Sequence, residues 1–393
     1  MLDTWVPFLA LSDVVLIDQR GVTDTALQWE WDGPPPLNFF VSADTALRHV
    51  AEMNRRAAAV IRARGVDVAG YTTVESAADL EALRAALGAE RVSLLAFSYG
   101  THLACAYLRT YGNRVESAVM LGTEGPDHTY KLPWTMDTQF RKLAGLTAAD
   151  PRIAKRVPDL IALYDRVIAR LEREPMIVPV PTGEDTLRVP VGAFGLRLIL
   201  RYDVGDATDL VVFPRLLWSI EQDDPSLLSW FVRKRAGVAM GVHAMNSVMD
   251  AASGLTAGRR ALIDAQARTS RFADVVNFPD LREDAWKTPD LGDGFRSPLV
   301  STARVLFVSG DLDFNTPPYQ AEELRWGMPN TTHLIVEHAG HEQTFWQNDT
   351  AIPVVVDFLA GRDVRDRTIT YPVLRFIPLE GRDPSVTHPS VPR

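Results

Sequence analysis

The stretch Arg91-Val92-Ser93-Leu94-Leu95-Ala96-Phe97-Ser98-Tyr99-Gly100-Thr101-His102-Leu103-Ala104 governs how the rest of the chain is read. Its first half is apolar and strand-like, a serine follows at once, and small residues then open a helix. A sharp strand-to-helix turn of this kind lifts a hydroxyl above a sheet and aims the first helical amides at charge developing beside it. Ser98 is therefore the candidate nucleophile, although Ala96 stands where such turns usually carry glycine. Two later apolar runs end in Gly310-Asp311-Leu312-Asp313 and in Ala339-Gly340-His341. The order Ser, Asp, His is the one a parallel α/β sheet uses for nucleophile, acid and base. Asp311 and Asp313 compete for the acid. Asp313 is favoured because Phe314-Asn315-Thr316-Pro317-Pro318 turns the chain into its next helix. His341 is favoured over His338 as the base because the flexible Ala339-Gly340 turn precedes it. Ser98 would attack, His341 would move the proton, and Asp313 would fix the imidazole tautomer.

Working outward, Val14-Val15-Leu16-Ile17-Asp18 has the β-branched character of a buried parallel strand. Gly33-Pro34-Pro35-Pro36 makes residues 22–42 a loop. Helices are expected over 43–64 and 73–87, the second with Thr72 and Glu75 as a capping box. A strand follows over 115–122. From 130 to 298 the alternation gives way to helical patterns, interrupted by a hairpin whose strands flank Thr182-Gly183-Glu184-Asp185. Strand and helix then alternate again, with a last strand over 368–377. This pattern predicts a mostly parallel α/β sheet flanked by helices, built from residues 1–129 and 299–378. A mainly helical cap spans 130–298, and 379–393 form a loose tail.

At 393 residues with 46% hydrophobic and 23% charged content, the chain can bury a large core. A formal charge of −9 argues against nucleic acid or an anionic membrane as partner. The single cysteine, Cys105, allows no internal disulfide. No apolar run approaches the ~20 residues that span a bilayer. No basic-then-apolar leader opens the chain, which predicts a cytoplasmic protein. No His pair has ligand spacing on one helix, so neither a metal nor a cofactor is expected. His102 reads as a packing or hydrogen-bonding residue, His243 as a core residue or else one facing the pocket, and Met240, Met245 and Met249 as core.

These residues resemble the α/β-hydrolase fold, and within it the proline iminopeptidase and tripeptidyl-aminopeptidase-like branch. Asp18-Gln19-Arg20-Gly21 is similar to a signature of that branch, as are Tyr71-Thr72-Thr73, Ser98-Tyr99-Gly100-Thr101 and the segment from Gly310 to Pro317. The resemblance implies Ser98, Asp313 and His341 as the triad and the Tyr99 amide as an oxyanion donor. It implies a carboxylate that pairs with the substrate's free α-amino group, for which Glu124 is placed and Asp127 lies close behind; both would otherwise brace their loop. The family's first three strands and its second oxyanion loop have no counterpart here, and Val22-Thr23-Asp24 replaces its Gly-x-Ser. A longer natural product or a weakened relative is the expectation. The implied activity is release of N-terminal residues from short peptides. The alternatives are a carboxylesterase on small esters and a non-catalytic binding module.

Overall fold

The computed structural model describes residues 4–22, 26–203, 205–279, 285–381 and 388–390. Its centre is a parallel sheet of β1 (Val92–Phe97), β2 (Val115–Leu121), β5 (Arg304–Gly310) and β6 (Thr331–Val336), in the order β1-β2-β5-β6. The two central strands are apolar on both faces, as parallel strands covered by crossover helices must be. Val119, Met120 and Leu121 pair with Leu306, Phe307 and Val308, and all six are buried.

Helices α1 (Ala43–Ala63), α2 (Thr73–Ala86) and α3 (Tyr99–Tyr111) precede β2 in the chain. Ser42 and Thr72 cap α1 and α2 by accepting from the Thr45 and Glu75 amides. Leu103, Tyr107 and Leu108 of α3 pack on the sheet face that carries Met120 and Phe307. Val354, Val355 and Phe358 pack on the opposite face, against Val119, Leu121, Leu306 and Val308.

Between β2 and β5 lie α4 (Pro133–Ala149), α5 (Leu160–Arg173), the antiparallel hairpin β3 (Met176–Thr182) and β4 (Asp185–Val191), α6 (Ala193–Asp203), α7 (Phe213–Glu221), α8 (Ser226–Lys234), α9 (Ala244–Ser253) and α10 (Ala257–Ala267). Leu160, Leu163, Tyr164, Val167, Ile168 and Leu171 follow helical spacing on α5 and are all buried. They share a core with Leu216, Phe213 and Phe231. Phe39, Phe40, Val50 and Met53 join this helical core instead of the sheet, and Phe376 and Ile377 do so from the other end of the chain. After β5 come α11 (Pro318–Arg325), β6 and α12 (Ala351–Leu359).

Three expectations need correction. Residues 14–18 form no strand, and Val15, Leu16 and Ile17 are exposed. Among the described residues β1 is an edge of the sheet, so this run has no ladder partner for its backbone groups, and composition alone does not hold a strand. Residues 368–377 are also without ladder pairing; the segment is held by Phe376 and Ile377 in the helical core and by the Ile377 amide on Val211 O. The described part of the tail is not loose. His388 is buried, with Nε2 2.9 Å from Asp209 Oδ1.

Candidate active site

β1 ends at Phe97, and α3 begins at Tyr99. Ser98 between them adopts φ 54°, ψ −125°, a left-handed conformation that a side chain occupies only when its surroundings enforce it. Two bonds do so: the Ser98 amide donates to Leu121 O at 2.9 Å, and Ser98 O accepts from Thr101 Oγ1 at 2.6 Å. The Tyr99 amide is the first of the helix and has no intrahelical acceptor.

His341 and Asp313 come together. Asp313 is fully buried and accepts from His341 Nδ1 at 2.8 Å, the Asn315 amide at 2.8 Å, the Thr316 amide at 2.9 Å and Thr316 Oγ1 at 2.6 Å. Because the carboxylate only accepts, Nδ1 carries the proton, and it also lies 3.0 Å from Thr316 Oγ1. Nε2 is thereby left as the basic nitrogen of the neutral ring. Burial alone would raise the Asp313 pKa, but His341 and the hydrogen bonds outweigh it and hold the carboxyl below its usual range. Burial likewise pulls His341 down, and Asp313 reverses this to leave the imidazole above its ordinary value.

Ser98 and His341 border the same point in the fold. The rings of Phe97 and His341 are 4.6 Å apart. Gly122 follows the residue that anchors the Ser98 amide, and a Cβ there would come within 3.0 Å of the His341 ring. With φ +57°, this position demands glycine on both counts. Neither the Ser98 hydroxyl nor His341 Nε2 has a hydrogen-bond partner among the described residues. Catalytic contacts are commonly loose before substrate arrives.

The competing residues have other contacts. Asp311 Oδ1 accepts from the His338 amide at 2.7 Å, which closes the turn between β6 and His341. His102 is buried with Nδ1 3.0 Å from Gly125 O and Nε2 3.0 Å from Ser253 Oγ, a satisfied core histidine. His243 is exposed at the start of α9, not packed in a core.

The two expected amine-binding carboxylates are both engaged. Lys131 Nζ lies 2.5 Å from Glu124 Oε2. Burial would raise the Glu124 pKa, but Lys131 and His102 hold it below its ordinary value. Asp127 accepts from the Thr256 amide at 2.9 Å and from Thr256 Oγ1 at 2.6 Å, bracing the residue that caps α10.

A cavity of about 410 Å³ opens beside these residues, among Val50, Met53, Lys131, Arg201, Tyr202 and Asp250. Its wall includes none of Ser98, Asp313 and His341, but two short chains of contacts connect it to them. Thr101 Oγ1 contacts both Ser98 O and the Glu124 amide, and Glu124 holds Lys131. The Asn315 amide contacts Asp313, and its side chain accepts from Arg201 Nη1 at 3.3 Å. The carboxylate of Asp250 on α9 makes no hydrogen bond or ion pair among the described residues. Burial, reinforced by Glu124, pushes its carboxyl up to about 7. Sequence reading missed Lys131, Arg201 and Asp250, whose only local signal is a charged residue within a largely apolar helix or loop.

Among the described residues no group of His, Cys, Asp and Glu could hold a metal ion, and no helix is long and apolar enough to cross a membrane. Residues 5–232 match the alpha/beta hydrolase fold model, and residues 282–368 match the TAP-like protein model. Serine protease Hip1 of Mycobacterium tuberculosis is 40% identical over 55 residues, 14% of this chain and 11% of that protein. Homoserine O-acetyltransferase of Geobacter sulfurreducens is 33% identical over 97 residues, 23% of this chain and 26% of that protein. The chain thus matches about a quarter or less of the length of these curated relatives. Among solved structures, the meta-cleavage product hydrolase of Pseudomonas fluorescens IP01 aligns with TM-score 0.33 and 13% identity over 74% of this chain and 72% of that one. The putative non-heme bromoperoxidase BpoC of M. tuberculosis aligns with TM-score 0.32 and 16% identity over 74% and 75%. The match of more than half the length to one model settles the family: this chain belongs to the α/β-hydrolase fold.

Proposed function

We propose that the protein is a serine hydrolase that works through an acyl-enzyme and releases N-terminal residues from short peptides. In this reading Ser98 Oγ attacks the carbonyl carbon and His341 Nε2 takes its proton. Asp313 stabilises the imidazolium, and the Tyr99 amide binds the oxyanion. His341 then returns the proton to the departing amine, and water repeats the sequence to free the enzyme. The observation that carries the reading is the buried Asp313–His341 pair, which leaves Nε2 as an unpartnered basic nitrogen on a ring 4.6 Å from that of Phe97, the residue before Ser98.

Peptide substrates are favoured by the TAP-like match, which contains both Asp313 and His341. The substrate's free amine would meet Asp250, since Glu124 is already paired with Lys131. An alanyl p-nitroanilide and a p-nitrophenyl acetate assayed side by side test this. Higher kcat/KM on the anilide, lost in Ser98→Ala, is expected. Turnover of the ester alone would replace the peptidase reading with a carboxylesterase.

A further inference from the structure

Buried Arg259 and Arg296 and half-buried Arg197 meet carboxylates, whereas half-buried Arg109, Arg215 and Arg304 donate, among the described residues, only to hydroxyl or backbone oxygens on the surface of the fold. Arg259 has Glu323 at 3.7 Å, Arg296 has Asp293 at 3.1 Å, and Arg197 has Asp274 at 2.8 Å. Arg201 does not. Its Nε donates to Val276 O at 3.3 Å, its Nη1 to Asn315 Oδ1 at 3.3 Å, and its guanidinium lies 5.1 Å from the Tyr202 ring centroid. No carboxylate lies within ion-pair distance of it among the described residues. Arg235 approaches the same ring from its own side, 5.5 Å from the centroid, and adds positive charge to this end of the cavity. Burial and the neighbouring Arg235 both weaken the hold of Arg201 on its proton.

Arg201 is half-buried, and a guanidinium partly withdrawn from water without a counter-charge recovers little from two 3.3 Å contacts to neutral oxygens. Arg201 differs from Arg109, Arg215 and Arg304 in lining a cavity, where its planar donor fork matches a carboxylate arriving from outside. Three features fit a substrate as the source of that anion. Arg201 lines the 410 Å³ cavity, whose size falls in the range of roughly 300–1,000 Å³ usual for small-ligand sites. Asn315 ties Arg201 to Asp313, so the guanidinium sits one residue from the reacting groups. Asp250, a carboxylate in the same lining, gives the cavity a negative group beside its positive ones.

We propose that Arg201 is the receptor for a carboxylate of the substrate, so that the cavity selects acid-bearing short peptides over neutral ones. This rests on the hydrolase reading above for its choice of peptides, but binding can be measured without turnover. The carboxylate can come from the peptide's C-terminus or from an acidic side chain, and two ligand pairs separate these sources.

The experiment is titration calorimetry on the Ser98→Ala protein with tri-alanine against its C-terminal amide, and with Glu-Ala-Ala amide against Gln-Ala-Ala amide. The acid-bearing member of at least one pair should bind about 10- to 100-fold more tightly. Arg201→Met should abolish that difference, and Arg201→Lys should keep part of it. Should Arg201→Met fail to fold, the comparison of ligands on the Ser98→Ala protein still decides. Equal affinities within both pairs, no detectable binding of any of the four, or a preference that survives Arg201→Met would overturn the proposal. Fluorophosphonate labelling of the wild-type serine runs in parallel: a labelled enzyme with no acid preference loses only the Arg201 subsite. An unlabelled protein that still prefers the acids loses only the hydrolase reading.

Discussion

Lys131 Nζ stands 2.5 Å from Glu124 Oε2, with only 13% and 12% of the two side chains exposed. Removing the ammonium leaves a buried carboxylate without its main partner. Lys131→Met should cost about 3–5 kcal/mol at neutral pH, measured by urea unfolding. The loss should shrink as the pH falls, because without Lys131 the buried Glu124 takes a proton more readily in the folded variant, whereas in the wild type Lys131 holds it below its ordinary value. Unchanged stability at pH 7 would mean that the pair contributes nothing to the fold.

Asp127 offers the opposite contrast. Both of its oxygens are occupied by Thr256, at the start of α10. Asp127→Ala should lower stability by about 1–2 kcal/mol, the usual range for losing such a capping contact, with KM unchanged. A selective rise in KM for free-amine substrates would instead make it a binding residue.

Asp250 has a pH signature with a definite sign. Its folded pKa is raised to about 7, so between an unfolded value near 3.8 and that point the folded state holds a proton that the unfolded state has released. Stability should therefore fall as pH rises across this window. In Asp250→Asn the melting temperature should lose that slope and exceed that of the wild type at pH 8. The same variant should raise KM for free-amine peptides by about 10-fold or more, the scale of one charge-assisted contact. Parallel melting curves for the two proteins would contradict the buried, unpartnered carboxylate.

In the proposed mechanism the Asp313–His341 pair sets the pH dependence of turnover. His341 must be neutral to act as a base, and its pKa is raised by Asp313, so kcat/KM should fall as pH drops through a value above 6.5. Asp313→Asn should reduce kcat by about 10⁴-fold and move that limb to lower pH. The pair also bears on stability. The raised imidazole adds stability below its unfolded pKa and loses it as pH climbs through the folded value. The lowered carboxyl adds stability above its unfolded pKa and loses it as pH falls through its own. A limb that does not move in Asp313→Asn would remove His341 from the role of base.

Ser98 pays for its conformation in backbone strain. Ser98→Gly should stabilise the fold by about 1 kcal/mol while abolishing hydrolysis, since glycine enters the left-handed region freely. Thermal unfolding and an activity assay on the same preparation check both halves.

Ser98, Asp313 and His341 stood out in the sequence as candidates because each follows the end of an apolar strand, and strand ends in a parallel sheet converge on one edge. It showed α5 through six apolar residues on one helical face. It misled at residues 14–18, where β-branched composition is real but no neighbouring strand exists among the described residues to complete a ladder. It misled again at 368–377, where Phe376 and Ile377 serve a helical core and not a sheet. Lys131, Arg201 and Asp250 were silent because their meaning lies in who is adjacent: one ammonium already matched by Glu124, one guanidinium and one carboxylate unmatched around a shared cavity. No local pattern encodes that juxtaposition, which depends on how α1, α6 and α9 pack.

The most direct test of the central claim is the reaction of the folded protein with a fluorophosphonate, read by mass spectrometry of its peptides. A single adduct on Ser98, lost on heat unfolding and strongly slowed in His341→Ala, is the predicted result. A cooperatively folded protein that leaves Ser98 unmodified, or that labels as fast without His341, would contradict it.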